Sequence, residues 1–211
     1  MPGTPGHSWR RRGAAPYRWP AMYAWRRSAG GWWTAEAEFG RIDVLVNNAA
    51  FQMAQSSVLD GITTGQFDRV MWTDVYALFW LCKMALPHIP AGGSIMNSAS
   101  VQAYKPSPHL LDYAASKGAI VTCTQGLAQN LAGRGVRVNA VAPGPVWTPL
   151  IPATLPDTAT FGEQSPLGRP AQPAEMAPAY VFLASAQASY VTARSSTRPA
   201  AYPCPSAMAR W

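Results

Sequence analysis

Apolar and polar positions alternate along the middle of the chain with two different periods. Ile42–Val46 (Ile-Asp-Val-Leu-Val) is a short, nearly continuous apolar run, the pattern of a strand buried on both faces. Thr64–His88 places Phe67, Met71, Leu78, Leu81 and Leu86 close to helical spacing and ends near Pro87. Ser94–Asn97, after Gly92-Gly93, predicts a second strand. Leu110–Ala132 predicts a helix, with Gly118 and Gly126 each costing it about 1 kcal/mol relative to Ala. Val136–Val141 predicts a third strand, closed by Ala142-Pro143-Gly144-Pro145, and Ala174–Ser185 a final helix. Strands separated by helices of this length pair in parallel through right-handed crossovers. The expected fold is therefore α/β, a parallel sheet with flanking helices.

The two ends read differently. Residues 1–33 hold five of the nine Trp among scattered Arg, Pro and Gly, with no period of two or 3.6. Residues 194–211 hold Pro199, Pro203 and Pro205, which a central strand does not accommodate. The expected organisation is an unstructured segment over 1–33, a folded core over 34–193 and a tail over 194–211. Charge follows the same division. The chain's formal net charge is +7, and six Arg against Glu36 and Glu38 in residues 1–40, together with Arg194, Arg198 and Arg210, account for all of it. These ends form no periodic basic face, so neither nucleic acid nor an anionic membrane is an expected partner.

Cys82, Cys123 and Cys204 form no CxxC pair and no metal-ligand cluster, which points to free thiols in a reducing compartment and to no metal. Arg10-Arg11-Arg12 has the look of an export signal, but Arg18 interrupts the apolar stretch that should follow. The uncharged run 138–156 holds five prolines and does not suit a bilayer span. The expected location is the cytoplasm.

The candidate chemistry sits in the neutral middle. Tyr113 and Lys117 are four apart on one helix, so both side chains leave the same face. An ammonium beside a phenol favours the phenolate, which is expected to lower the Tyr113 pKa and make it a general acid or base. Ser100 stands thirteen residues before Tyr113, just past the second strand, where its hydroxyl can bond the same substrate oxygen. Asn47-Asn48-Ala49-Ala50 ends the first strand, and ligands in open parallel sheets sit at the carboxyl ends of strands. Arg137-Val138-Asn139-Ala140-Val141-Ala142-Pro143-Gly144-Pro145 ends the third, and main-chain groups near Val146 are placed to bond a planar carboxamide.

These ordered motifs together resemble a short-chain dehydrogenase/reductase over roughly residues 34–193, in particular a bacterial stress-protein-like subgroup. The resemblance implies a Rossmann-like fold and hydride transfer between NAD or NADP and a small-molecule carbonyl or alcohol. It implies that Tyr113 is the catalytic acid/base, that Lys117 binds the nicotinamide ribose and tunes the phenol, and that Ser100 orients the substrate. It further implies that Asn47 and Ala49 line the cofactor cleft and that Val146 and Thr148 meet the nicotinamide end. His109, Trp147 and Phe161 are expected around the substrate. The helices 64–88 and 110–133 are those through which the family commonly forms dimers and tetramers, so a homo-oligomer is expected there.

The sequence departs from the family at three places. Asp74 stands where the family has an Asn that holds a water beside the lysine; its charge is expected to oppose Lys117 and raise the phenol pKa, unless it is a tolerated near-isostere. The family's opening TGxxxGxG turn is not recognisable in residues 1–40, where Gly3, Gly6 and Gly13 have neither its spacing nor a preceding strand. The last strand is not recognisable after Tyr190-Val191-Thr192. Three of seven family strands are thus expected, with both edges of the sheet uncovered. Arg-, Pro-, Ala- and Trp-rich ends are what a GC-rich gene yields when read in a shifted frame. The alternative to an enzyme is a non-catalytic fragment that associates with full-length relatives.

Overall fold

The computed structural model describes residues 38–55, 59–155 and 157–194. The chain divides into two units, Met1–Gly40 and Arg41–Trp211, and the second carries the sheet and the helices that pack on it. The expectations for residues 1–33 and for the tail beyond Arg194 lie outside the described residues.

Three strands form one parallel sheet in the order of the sequence: β1 (Val44–Asn47), β2 (Ser94–Ser98) and β3 (Arg137–Val141). Val46 aligns with Met96 and Met96 with Asn139. The first crossover is helical throughout: α1 (Thr64–Met71), a π-turn (Trp72–Tyr76) and α2 (Ala77–Ala85). The second is α3 (Leu111–Leu131), which runs through Gly118 and Gly126 without a break. α4 (Leu150–Thr154) and α5 (Pro173–Ala184) follow β3. Thr63 caps α1 by accepting a hydrogen bond from the Gln66 N–H, and Gln172 with Glu175 forms a capping box at the start of α5.

Parity along the strands sorts side chains to two faces. Leu45, Asn47, Ile95, Asn97, Val138 and Ala140 share the face beneath α3, which carries the buried Ile120 and Thr124. Met96 and Val141 share the other face, where they pack with Leu183 of α5. β2 is buried at every residue, as expected of a strand covered on both sides. β1 is not: Leu45 is buried, but Val44 and Val46 stay 40% and 44% exposed, because α5 packs on β2 and β3 and not on β1.

Two sequence expectations require correction. The helical stretch 64–88 is not uniform, because a π-turn inserts an extra residue per turn around Asp74 and re-aims the side chains that follow. Nor are both sheet edges uncovered. Residues 192–194 run along β3: the Ala193 N–H donates to the Val138 carbonyl at 2.9 Å and the Ala140 N–H to the Arg194 carbonyl at 2.9 Å. Ala193 adopts φ +59°, a left-handed conformation that disfavours a side chain. Among the described residues, the free edge of β1 has no strand partner.

Candidate active site

The three parallel strands end their carboxyl sides along one margin of the sheet, and β2 leads there into Ser98 and Ser100. The site is organised around Lys117, one helical turn past Tyr113 on α3 and only 1% exposed. Its ammonium donates to the Ser98 carbonyl at the end of β2 at 3.0 Å. It also lies 3.5 Å from Asp74 Oδ2 and 5.2 Å from the centre of the Tyr113 ring. Ser100, buried two residues beyond Ser98, lies close enough to the Tyr113 phenol to favour its ionised form. The expected Ser100, Tyr113 and Lys117 are therefore brought together, with Asp74 directly behind the lysine.

Asp74 reaches this position because the π-turn points it inward, where it is 2% exposed. One carboxylate oxygen accepts from the Phe51 N–H at 2.8 Å, the other from the Ser116 hydroxyl at 2.8 Å. The Ser116 hydroxyl also lies 2.7 Å from the Tyr113 carbonyl. Burial disfavours both charges of the pair, pushing the Asp74 carboxyl up and the Lys117 ammonium down, and each opposes the other's shift by direct attraction.

The Tyr113 pKa moves opposite to the sequence expectation. Burial pushes the phenol well above its ordinary value, the Asp74 charge pushes it further, and the Ser100 hydrogen bond only partly opposes them. Spacing along the helix reveals the lysine but not the desolvation of the ring. The consequence is a phenol that holds its proton at neutral pH.

The expected cofactor residues are placed unequally. Asn47 is buried beneath α3, and its amide N–H donates to Asn97 Oδ1 at 2.8 Å and to Cys82 Sγ at 3.3 Å. The Asn97 amide in turn donates to Thr124 at 2.8 Å, so this polar row belongs to the interior. Ala49 is exposed just beyond β1. Val146 sits in a turn held by its neighbours: the Trp147 N–H donates to Ala171 at 2.8 Å and the Ala171 N–H to Pro145 at 2.9 Å. In such parallel pairing the Val146 N–H and C=O point the other way. The Thr148 carbonyl accepts from Ile151 at 3.0 Å and starts α4.

A cavity of about 310 Å³ opens beside Val101 and Pro145, lined also by Asp157, Thr160, Phe161 and Gln164. Trp147 lies 6.0 Å from Phe161 at its margin. His109 is drawn elsewhere, its Nδ1 2.9 Å from the Gln55 carbonyl. Sequence reasoning missed Ser98, which receives the lysine, and Tyr180 of α5, whose hydroxyl lies 2.7 Å from Ser98 Oγ. The signal for Ser98 was its place at a strand end; Tyr180 lies 82 residues further on and carried none. Among the described residues there is no metal-binding cluster and no helix long and apolar enough to cross a membrane.

A family model described as enoyl-(acyl carrier protein) reductase matches residues 32–197. The chain is 50% identical over 163 residues to the oxidoreductase YhxC of Bacillus subtilis, covering 76% of this chain and 57% of that one. It is 53% identical over 148 residues to NADPH-dependent aldehyde reductase 1, chloroplastic, of Arabidopsis thaliana, covering 69% and 51%. It is also similar to the crystal structure of 3-ketoacyl-(acyl-carrier-protein) reductase from Brucella melitensis complexed with NADH. That match has a TM-score of 0.71 and 32% identity, over 79% of this chain and 69% of that one. The chain spans about half the length of the curated relatives it matches.

Proposed function

Because the chain belongs to the short-chain dehydrogenase/reductase family, we propose that it is an oxidoreductase for small carbonyl or alcohol substrates that works with NAD or NADP. The observation that carries this reading is the Ser100–Tyr113–Lys117 cluster, with a serine beside the phenol and an ammonium 5.2 Å from its ring. A bound nicotinamide would supply or accept the hydride at the substrate carbon. The nicotinamide end fits the residues present: Lys117 has three N–H donors, of which Ser98 and Asp74 engage two, leaving one for a ribose hydroxyl. The outward main-chain groups of Val146 suit a carboxamide, with Thr148 two residues on.

The chain's own residues then manage one proton. A substrate oxygen seated against Ser100 and Tyr113 receives a hydrogen bond from each, and Tyr113 surrenders its proton as negative charge grows there. The resulting phenolate is stabilised by the Lys117 charge. A phenol whose pKa is raised is protonated at neutral pH, so carbonyl reduction is the favoured direction and alcohol oxidation needs alkaline conditions. The aldehyde reductase relative makes small aldehydes with NADPH the first substrates to assay. Tyr113→Phe keeps the ring and removes the proton; it should lower any such turnover by about 10²–10⁴-fold. Turnover within a factor of about three of the parent would refute the assignment.

A second reading, a subunit that joins full-length relatives, is favoured by the exposed Phe67, Tyr76 and Phe79 along the helical stretch 64–88, the same stretch through which a homo-oligomer would form. Sedimentation of the chain with and without Phe79→Glu tests it. A monomer in both cases removes the reading.

A further inference from the structure

Tyr113 stands on the first turn of α3, and that turn begins without a side-chain cap. Leu110 occupies the position before the helix and has no side-chain oxygen to accept the Tyr113 N–H, one of the orphan donors of a helix start. Asp112 supplies the acceptor instead. Its Oδ1 takes the Tyr113 N–H at 2.8 Å, and its Oδ2 takes Gln66 Nε2 of α1 at 2.7 Å. Asp112 is 0% exposed, and among the described residues no ion pair includes it, so these two hydrogen bonds fix its oxygens.

The Gln66 amide is itself held in one orientation. Its Oε1 accepts from Gln55 Nε2, and its NH₂ donates to Asp112 and, at 3.4 Å, to the Met53 carbonyl. Turned over, its oxygen would face the Asp112 carboxylate, and both only accept. The Gln66 N–H donates to Thr63 at 3.2 Å, which anchors the residue at the capped start of α1. Gln55 is stapled to α3's approach by two bonds: its N–H donates to the His109 carbonyl at 3.0 Å, and His109 Nδ1 donates to its carbonyl at 2.9 Å. Close packing does not hold the carboxylate, since a cavity of about 250 Å³ lined by Ile62, Thr63, Phe67 and Leu111 reaches Asp112.

We infer that Gln66 is a positioning residue for Tyr113. Its amide fixes the Asp112 carboxylate, the carboxylate holds the main chain of the residue that presents the phenol, and the phenol is thereby set against Ser100 and Lys117. Gln66 takes no chemical part. The inference rests on the proposed function, whose proton donor it places.

The test is reduction of propanal by the 211-residue chain, with NADPH at millimolar concentration and the alcohol product quantified by gas chromatography. Gln66→Glu keeps the size of the side chain but sets two carboxylates face to face. Turnover at saturating aldehyde should fall about tenfold, with the KM for aldehyde within about twofold of the parent, since the cavity beside Val101 is untouched. Gln66→Glu combined with Asp112→Asn reverses the roles: the new amide at 112 donates to the new carboxylate at 66, and its oxygen still accepts the Tyr113 N–H. Turnover should then return to within about threefold of the parent. Gln66→Met removes the donor without adding a charge, should cost about three- to tenfold, and serves where the Glu variant does not fold. Parent-like turnover in the single variants overturns the inference and leaves the proposed function standing. A lower melting temperature with turnover per folded molecule unchanged, the mark of a purely structural glutamine, does the same. So does a double variant that melts like the parent yet keeps the loss. A parent without turnover, or a Tyr113→Phe variant that retains it, removes the proposed function and this inference with it.

Discussion

Replacing Asp74 by Asn tests how the buried charge behind Lys117 acts on Tyr113. Lys117 Nζ is 3.5 Å from the carboxylate and 5.2 Å from the ring centre, so the carboxylate lies at most about 9 Å from the phenol ring. At an effective dielectric of about 20, a unit charge at ~9 Å is worth roughly 1.8 kcal/mol, or about 1.3 pH units. Removing it should displace the phenol's titration downward by about one unit. The alcohol-oxidation rate, measured at a fixed alkaline pH below that titration, should rise about tenfold. Sterically the exchange is mild. The new carboxamide oxygen still accepts from Phe51, and its NH₂ donates to Ser116, whose own proton then turns wholly to the Tyr113 carbonyl. What is lost is the counter-ion of a 1% exposed ammonium. Breaking a buried pair outright costs about 3–5 kcal/mol. With these hydrogen bonds kept, about 2 kcal/mol is expected, a fall in melting temperature of roughly 4–8 °C. The variant should thus be faster and less stable. A variant that is slower at every pH, or whose rate profile does not move, would refute the electrostatic reasoning and give Asp74 a role of its own.

Three further outcomes follow from the same geometry. Lys117→Met strands Asp74 without its cation, so its carboxyl is held protonated. A raised folded-state pKa contributes stability at acid pH that is lost as pH rises through it, and this variant should melt higher at pH 5 than at pH 8. The opposite order would show that Asp74 ionises freely. Ala193→Gly should stabilise the chain by about 1 kcal/mol in thermal or urea unfolding, since Gly takes φ +59° without the side-chain penalty; a destabilisation would mean that the side chain itself packs. Fluorescence titration of the 211-residue chain with NADPH should give a dissociation constant of about 1 mM or weaker, because residues 1–40 show no glycine-rich turn for the pyrophosphate; micromolar binding would show that those residues hold it another way.

The layout of the sheet was legible because it depends on period alone. Three apolar runs, separated by helical spacings too long for hairpins, leave parallel order as the solution, and β1, β2 and β3 follow within a residue or two of the runs that predicted them. Tyr113 and Lys117 were legible for a similar reason: four residues on a helix are one turn, whatever surrounds them. The exposure of Val44 and Val46 was not, because an apolar run states what a strand suits and not which neighbours arrive to cover it.

What escaped the sequence is direction. Parity says that Asn47 and Asn48 point to opposite sides, but only the placement of α3 decides that Asn47 is the one turned inward, to Asn97 and Cys82. Asp74 would fall on a different azimuth of a regular helix, and no local propensity in Trp72–Tyr76 announces the extra residue that brings it to Lys117. The phenol's pKa failed for the same reason. The lysine's proximity was readable, whereas the burial that dominates the shift comes from the packing around the ring, and the charge that adds to it from Asp74, thirty-nine residues earlier in sequence and adjacent only in space. Proximity along a helix is a local property and survives in the sequence; desolvation is a property of the whole packing around a group. Electrostatic expectations drawn from spacing alone therefore miss the largest effect at Tyr113, and it is that burial which sets which direction of the reaction the site favours.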